Sequence, residues 1–493
     1  MKKEKICLNR KVKTILKKVE LKTDCLVPDI KPDIVNIINT NGMAYLIKEQ
    51  VENGKVKIDG NVDTYIIYLS EIGENRSIST TVNFFEVIED ERITEDACID
   101  VKSMIINIES KILNERKVSL TIYMILKIEI SEENELEYIG ELENNDFQKL
   151  ERNLNVKNIL YRNKVQNSIK DVLRIEDDSK ITEIFKADIE VKSKETKMSF
   201  NKLLAKAEIE IKILYLDENS KVKMVTGEFP LMTFIELKDT KENSLSELDY
   251  IVRNVFFKIQ NEGNLIEFQI DFEIKNLMYE EKKLNVIEDI YSLTKVLDIE
   301  SKNVNLRCIK DEENLKEDIV GINESFRIDN ISNLLGYEIK FNLINRNKNN
   351  GIYNYESEMN LICFYEVNNE KNIKSSLIKI PFLYKSTIDE EYIEFLIKNC
   401  SIKLNGENIN VSVELECDID KNKCVNLNIV TDIKEKEDIN IDDYNFIVYF
   451  VKEGDTLWNI AKKFNACMND LIDINKLDNP NKLNIGDKIY IMK

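Results

Sequence analysis

The chain has 493 residues and is acidic, with 90 Asp and Glu against 70 Lys and Arg, a formal net charge of -20 and no histidine. This charge argues against nucleic acid and anionic membrane surfaces as partners, because phosphate binding needs clustered Lys and Arg. The absence of histidine excludes Cys-His peptidases, Ser-His-Asp hydrolases and His-ligated zinc amidases, whereas a carboxylate-only glycoside hydrolase survives this test.

The length predicts roughly three or four domains. No apolar stretch approaches the ~20 residues of a membrane span. The basic start, MKKEKICLNRKVK, leads into no apolar segment, so we expect no secretory signal and a protein that stays in the cell that makes it. The nine cysteines are scattered without a CxxC pair, which favours a reducing cytosol and buried thiols. Whether Cys417 and Cys424 pair if oxidised is left open.

A strand that alternates apolar and polar residues and contains a central tyrosine occurs three times along the chain. Each copy ends in a polar turn and is followed by an apolar dyad and then by a hairpin-like pair of alternating runs. The three copies span 60–79, 205–224 and 355–374, and their tyrosines are Tyr68, Tyr215 and Tyr365. Three features in the same order, three times over, indicate tandem repeats.

We therefore predict a mainly β protein with three antiparallel repeats, each a β-sandwich or open barrel with its own core, followed by a small β-α-α-β module. Short helices are expected between strands, for instance over 246–254. The predicted boundaries are 1–155, 160–300 and 310–433 for the repeats, 434–445 for a charged linker, and 446–493 for the terminal module.

The first repeat opens with VPDIKPDIVNIINTNGMAYLI over 27–47, in which two X-Pro dipeptides set an extended entry. Together with the following strand, this segment resembles the SPOCS domain (once called DUF3794) of spore-coat proteins. The second repeat keeps the pattern partially, over 167–193. The third is the most divergent and lacks the Pro-Asp opening. The resemblance implies three tandem domains of one family.

The terminal module reads IVYFVKEGDTLWNIAKKFNACMNDLIDINKLDNPNKLNIGDKIYIMK from Ile447. A β-branched run ends in a turn, and Thr456 stands where a helix N-cap is wanted. Asn469 is a candidate cap for a second helix, and Lys488 begins a closing strand. The GDTLW-x-IA and L-x-x-G-D-x-I-x-I runs resemble those of the LysM module, which binds N-acetylglucosamine-containing glycans.

The LysM resemblance implies a shallow groove between the first turn and the loop before the last strand. Backbone amides near a helix N-terminus suit acetamide oxygens, and apolar side chains can cover a sugar face. On the other interpretation, Leu457 and Trp458 belong to the core of the module. The residues assigned to the groove are Gly454, Asp455, Thr456, Leu457 and Trp458 near one wall, and Asn479, Pro480, Lys482, Asn484 and Ile485 on the other.

Three SPOCS domains followed by a LysM module is the layout of the SipL-like clostridial spore-coat morphogenesis family. Membership implies a mother-cell cytoplasmic protein at the forespore surface, without membrane insertion. It also implies a partner, the coat-basement morphogenetic ATPase (SpoIVA-like), with the LysM module as the docking element. The alternative is a peptidoglycan-binding protein of spore cortex or cell wall, and a carboxylate-based wall hydrolase has only abundant Glu and Asp in its favour.

The sequence contains fragments that resemble metal or catalytic sites, but each has a simpler structural interpretation. An EF-hand-like fragment over 418–422 has Lys423 at the sixth position and Ile429 at the twelfth, so it fails as a calcium loop and predicts a hairpin turn. Acidic clusters are unavoidable at this composition, and no glycine-rich phosphate loop is present. We therefore expect no catalytic residues, no metal and no cofactor, and interpret the three tyrosines as packing positions.

Overall fold

The computed structural model describes residues 2–142, 146–175, 179–237, 243–260, 263–309, 319–387, 389–417, 422–439, 446–477, 479–480 and 482–492. The elements divide into three units and a terminal module. Unit 1 contains β1 (Lys2–Leu26), β2 (Ile34–Glu52), β3 (Lys55–Ser70), β4 (Asn75–Glu89), β5 (Cys98–Asn114) and β6 (Lys117–Glu141). Unit 2 contains β7 (Phe147–Arg174), β8 (Ile181–Ser199), β9 (Lys202–Asp217), β10 (Val222–Glu236), β11 (Ser244–Ile259) and β12 (Leu265–Ser292).

Unit 3 contains β13 (Lys295–Ile309), β14 (Ile319–Arg327), β15 (Ile331–Asn349), β16 (Ile352–Val367), β17 (Ile373–Ser386), β18 (Phe395–Asn405), β19 (Asn408–Cys417) and β20 (Asn422–Asp438). The terminal module contains β21 (Ile447–Phe450), α1 (Leu457–Phe464), α2 (Met468–Asn475) and β22 (Lys488–Ile491). The expected mainly β fold with a β-α-α-β module is thus confirmed. No helix among the described residues is long and apolar enough to cross a membrane.

The three units share one topology. In each, three consecutive strands form a meander sheet, and the strand directly before this sheet pairs antiparallel with the second strand of a following hairpin. The meander sheets are β2-β3-β4, β8-β9-β10 and β15-β16-β17, and their companions are β1-β6-β5, β7-β12-β11 and β14-β19-β18. The companion of unit 2 continues through β13 and β20 of unit 3 into a five-stranded sheet, β11-β12-β7-β13-β20. Period-2 alternation along the strands buries one face of each sheet, so the two sheets of a unit enclose a core.

The bulges lie at matching positions in all three units. Across the sheet, Tyr68 pairs with Ile37, Tyr215 with Ile184 and Tyr365 with Leu334, and the register shifts immediately after each of these partners. All three tyrosines are buried. Because a bulge bends a strand at a defined point, equal bulge positions give the three meander sheets equal curvature. The tyrosines are the packing positions that the repeat pattern predicts.

The units also share cores with one another. Each has its own apolar cluster, as expected, but three further clusters combine all three units. At one end, the first strand of a unit and its partner extend beyond the sheets as a two-stranded stem, over 2–11 with 131–141, 147–159 with 279–292, and 295–309 with 422–438. The three stems pack together through Ile6, Leu136, Tyr138, Leu154, Val156, Leu284, Val286, Leu427 and Ile429.

The meander sheets meet in a second shared region, about a pseudo-threefold axis. Ile67, Leu214 and Phe364 stand at equivalent positions, one residue before each repeat tyrosine, and lie in one buried cluster. Asn41, Asp188 and Glu338 are the fourth residues after the three bulge partners, and they too converge. The Lys186 ammonium lies 2.9 Å from both the Asp188 and Glu338 carboxylates, and Asn41 donates to Glu338 at 2.8 Å. The three repeats therefore form one body.

One expectation from sequence is wrong, and a second concerns residues that the structure largely does not describe. The helix expected over 246–254 is wrong, because this segment is part of β11 and pairs along its length with β12. Tertiary pairing has overridden a spacing of apolar residues that also fits a helix. The expected hairpin turn over 418–422 lies largely outside the described residues, as does the Cys424 side chain. The described cysteines are free thiols, and Cys25, Cys363 and Cys417 are buried.

Candidate functional site: the terminal module and its seat

The first wall of the predicted groove is a turn held by one carboxylate. Gly454 adopts a φ of +83°, which favours glycine. The Asp455 carboxylate accepts hydrogen bonds from the Lys452 N–H and the Tyr449 hydroxyl, both at 2.8 Å. These bonds, the backbone one foremost, hold the pKa of Asp455 below its ordinary value. The turn is therefore fixed while the Gly454 backbone faces solvent.

Thr456 caps helix α1 as predicted. Its extended backbone precedes the first helical residue, and its hydroxyl accepts the Asn459 N–H at 3.1 Å. The second helix is present, but Asn469 is not its cap, because α2 begins at Met468 with Cys467 in the cap position and no side-chain cap bond. Asn469 is instead an exposed residue inside the helix.

The second wall is a loop tied to the first. Val451 donates to Asp487 O at 2.9 Å, and Gly486 donates back to Val451 O at 2.8 Å, so the two turns are neighbours. The Asp487 carboxylate also accepts the Asn484 N–H at 2.8 Å. Ile485 projects from this loop with 71% of its surface exposed. Asn479, Lys482 and Asn484 are also exposed, and Pro480 is half-buried.

Two of the assigned residues are not open to a ligand. Leu457 is 1% exposed and packs in the core of the module with Ile460 and Leu471. Trp458 is 9% exposed, because its ring lies against unit 2. This placement agrees with the second interpretation given for these two residues. The surface that the two walls offer is therefore made by exposed residues of both turns: Gly454, Thr456, Asn479, Lys482, Asn484 and Ile485.

Trp458 binds the module to the stem of unit 2, on a contact surface formed by Gln148, Asp289 and Tyr291 that we call the seat. Its indole N–H donates to Asp289 Oδ2 at 2.8 Å, and its ring meets Tyr291 edge-on, with centroids 5.0 Å apart. The Lys462 ammonium binds the other oxygen, Oδ1, of Asp289 at 2.6 Å. The Tyr291 hydroxyl donates to the Ala466 carbonyl at 2.6 Å. An aromatic side chain with a polar handle suits such a seat.

The electrostatics of the seat centre on Asp289. Burial alone would raise the pKa of its carboxyl, but the hydrogen bonds from Lys462 and Trp458 outweigh this effect and lower the pKa. A further backbone contact joins Met468 N–H to Gln148 Oε1 at 3.0 Å. The sequence did not predict the roles of Gln148, Asp289 and Tyr291, because no local pattern marks residues of unit 2 as the contact surface of the terminal module.

Comparison with known families identifies the parts of this architecture. The LysM domain model matches residues 449–491, and the model described as SipL, SPOCS domain, matches residues 33–113 and 180–260. The chain is SipL-like, with tandem SPOCS domains and a C-terminal LysM domain. The two SPOCS matches fall in units 1 and 2, and unit 3 shares their topology and bulge positions. No curated protein and no solved structure gave a significant match.

The SPOCS domains mark the chain as a sporulation-related protein. The LysM domain contributes a fold that is associated with glycan binding. Within the described ranges, no group of three or more His, Cys, Asp and Glu side chains is placed to hold a metal ion. The groove walls and the seat of the module are therefore the features of this domain that bear on function.

Proposed function

We propose that the chain is a non-enzymatic scaffold of the spore coat. It docks on the coat-basement morphogenetic ATPase (SpoIVA-like) at the forespore surface, in the mother-cell cytoplasm, with the LysM domain as the docking element. The observation that carries the proposal is the combination of SPOCS and LysM domains in one chain, with the LysM tryptophan turned inward onto the body. A scaffold needs its docking element held in a fixed place, and Trp458 and Lys462 supply that anchor through Asp289.

The geometry of the module favours a protein partner that covers both turns. Ile485 is a large exposed apolar side chain beside polar, exposed neighbours, as in the centre of a small interface. The helix N-cap at Thr456 and the glycine turn before it add backbone groups for hydrogen bonds. The module contacts unit 2 through Trp458, Lys462, Ala466 and Met468, and none of these is an exposed wall residue. A partner on the walls can therefore leave these contacts in place.

A second candidate function is binding of peptidoglycan or another N-acetylglucosamine glycan of the spore cortex or cell wall. The same exposed turns and apolar Ile485 fit a sugar face. The two candidates differ in their ligand and share their site, so a paired binding experiment separates them.

The experiment is a pull-down with the full chain, because the core of the module includes Tyr291 of unit 2. One arm carries the purified ATPase, and the other carries insoluble spore and vegetative peptidoglycan. Retention by the ATPase alone supports the scaffold. Retention by peptidoglycan alone would replace it with the wall-binding function.

A further inference from the structure

The outer strands of the three meander sheets, β4, β10 and β17, are edge strands in equivalent positions. Each hydrogen-bonds to the middle strand of its sheet on one side only. The other side of such a strand presents unpaired N–H and C=O groups, which can pair with a strand of another chain. Proteins commonly block these edges with proline, charge or covering side chains.

Units 2 and 3 block their edges at the same position. Pro230 in β10 and Pro381 in β17 are the seventh residues after the partners of Tyr215 and Tyr365, Lys223 and Lys374. In β10 the odd-numbered residues direct their backbone N–H and C=O groups toward β9, since Asp217 N–H donates to Lys221 O and Leu237 N–H donates to Asn201 O. The even-numbered residues direct theirs toward the free edge. Pro230 therefore lies on the outward edge, where it removes the N–H that an added strand would bind.

Charge and side-chain caps strengthen this protection. Two residues before the prolines stand Glu228 in β10 and Lys379 in β17. The Asn167 amide also donates to the outward carbonyl of Met232 at 3.1 Å in unit 2. These two edges are closed to strand addition.

Unit 1 has none of these devices at the matching positions. Asn83 stands where the other units have proline, and Thr81 stands where they have Glu228 and Lys379. In β4 the even-numbered residues direct their backbone N–H and C=O groups toward β3, because Ser70 N–H donates to Glu74 O and Asp90 N–H donates to Gly54 O. The outward residues from Ser79 to Phe85 therefore form an open edge, consisting of Ser79, Thr81, Asn83 and Phe85.

The open edge is exposed, uncharged and bounded. All four side chains are exposed, and within the described part of the chain no hydrogen bond occupies their backbone groups. At one end, the Ser77 N–H is already bound by Glu183 of unit 2 at 2.7 Å. At the other end, the Lys17–Glu86 ion pair joins β1 to β4. A segment of this length can accept one short added strand.

We propose that the open edge pairs antiparallel with the same edge of a second copy of this chain. In the register that uses all four residues, Ser79 lies opposite Phe85 of the other copy and Thr81 lies opposite Asn83. A twofold axis makes this contact self-complementary, and each such pair exchanges both N–H···O=C bonds. A chain with net charge -20 can approach a second copy most closely where the facing residues carry no charge.

The pairing goes beyond the proposed function, because it needs neither the ATPase nor the LysM domain. Its consequence is a dimer with two LysM domains, which would gain avidity on a layered partner through effective concentration.

The test is sedimentation velocity of the full chain over a concentration series. The wild type is expected to show a monomer–dimer equilibrium, and Asn83→Pro is expected to shift it to monomer. The Asn83→Pro variant imports the residue that units 2 and 3 carry at this position, so its circular dichroism and melting temperature should match the wild type. If Asn83→Pro misfolds, Thr81→Lys takes its place. This variant introduces the lysine that unit 3 carries at the equivalent position, and it is expected to shift the equilibrium to monomer.

A matched control is Thr226→Lys, the same change on the closed edge of β10, and it should leave the equilibrium unchanged. A wild type that stays monomeric throughout would overturn the proposal. A dimer that both β4 variants retain would place the contact elsewhere and overturn it equally. A dimer that dissociates as salt is raised would also contradict an uncharged edge.

Discussion

Trp458 is the only tryptophan of the chain, and it lies where the LysM domain meets unit 2. Its indole and the Lys462 ammonium share the two oxygens of the Asp289 carboxylate. One acidic residue thus anchors the module at two points. The intrinsic fluorescence of the chain therefore reports on this seat directly, without a label.

We expect Asp289→Asn to weaken the seating of the module by about 1–2 kcal/mol, because a charged acceptor of two hydrogen bonds is replaced by a neutral amide. The tryptophan emission should shift to longer wavelength as water reaches the ring. Asp271→Asn is the matched control, since Asp271 binds Ser168 and Asn254 elsewhere in unit 2. An unshifted emission in Asp289→Asn would contradict the seat described above.

The same seat has a pH dependence of defined sign. The pKa of Asp289 is lowered in the folded protein from its ordinary value of 3.8. Its contribution is therefore fully present above the ordinary value and is lost as the pH falls through the lowered pKa. As the pH falls through the acid range, the tryptophan emission of the wild type should shift to longer wavelength. The Asp289→Asn variant has no carboxyl at this position, so its emission should not show this shift.

At the scale of elements, the meander sheets show which strands the repeat pattern predicts and where it fails. The alternation around Tyr68, Tyr215 and Tyr365 predicts β3, β9 and β16, because each of these strands buries one face. The same rule failed over 246–254, where the pattern fits a helix until pairing with β12 is known. The boundaries drawn between the repeats stay predictions. The one drawn between residues 155 and 160 falls inside the continuous strand β7.

The start of β4 carries a polar residue at an apolar position. Val222 and Ile373 begin the equivalent strands of units 2 and 3 and lie in the cluster at the pseudo-threefold axis. Asn75 holds this place in unit 1, is 1% exposed, and has no hydrogen-bond partner for either amide atom among the described residues. Burying an unpaired amide costs free energy that an apolar side chain would not.

We therefore expect Asn75→Val to raise the free energy of unfolding by about 1–2 kcal/mol. Chemical denaturation monitored by circular dichroism measures the change. Asn107→Val, on an exposed position of β5, is the control and should stay within about 0.5 kcal/mol of the wild type. A destabilised Asn75→Val would mean that the amide makes an interaction that the apolar surroundings do not suggest.

At the scale of the whole molecule, the three repeats are interlocked. The stems share an apolar core, and ion pairs such as Lys3–Asp432 at 3.0 Å and Lys282–Glu4 at 2.9 Å join different units. No sequence pattern could predict these contacts, because alternation reports which face is buried and not which unit covers it. The groove residues of the LysM domain could be named because their motif is local, whereas the seat on unit 2 could not.

This interlocking predicts a single cooperative unfolding transition for the three units. Differential scanning calorimetry of the full chain should show one main endotherm, because no unit can unfold without exposing the shared cores of the others. Glu338→Ala, which removes the centre of the axial ion network, should lower the transition temperature without splitting the peak. Three separate endotherms would show that the units are independent domains on a string.

The most direct test of the proposed docking is the affinity of the full chain for the coat-basement ATPase, measured by biolayer interferometry for three proteins. Ile485→Asp should weaken binding about tenfold or more relative to the wild type, because a charge replaces the large exposed apolar side chain of the second groove wall. Met492→Asp, an exposed residue of the same module away from both turns, should bind as the wild type does. Equal affinity of all three proteins, with unchanged tryptophan emission, would contradict docking through the LysM groove.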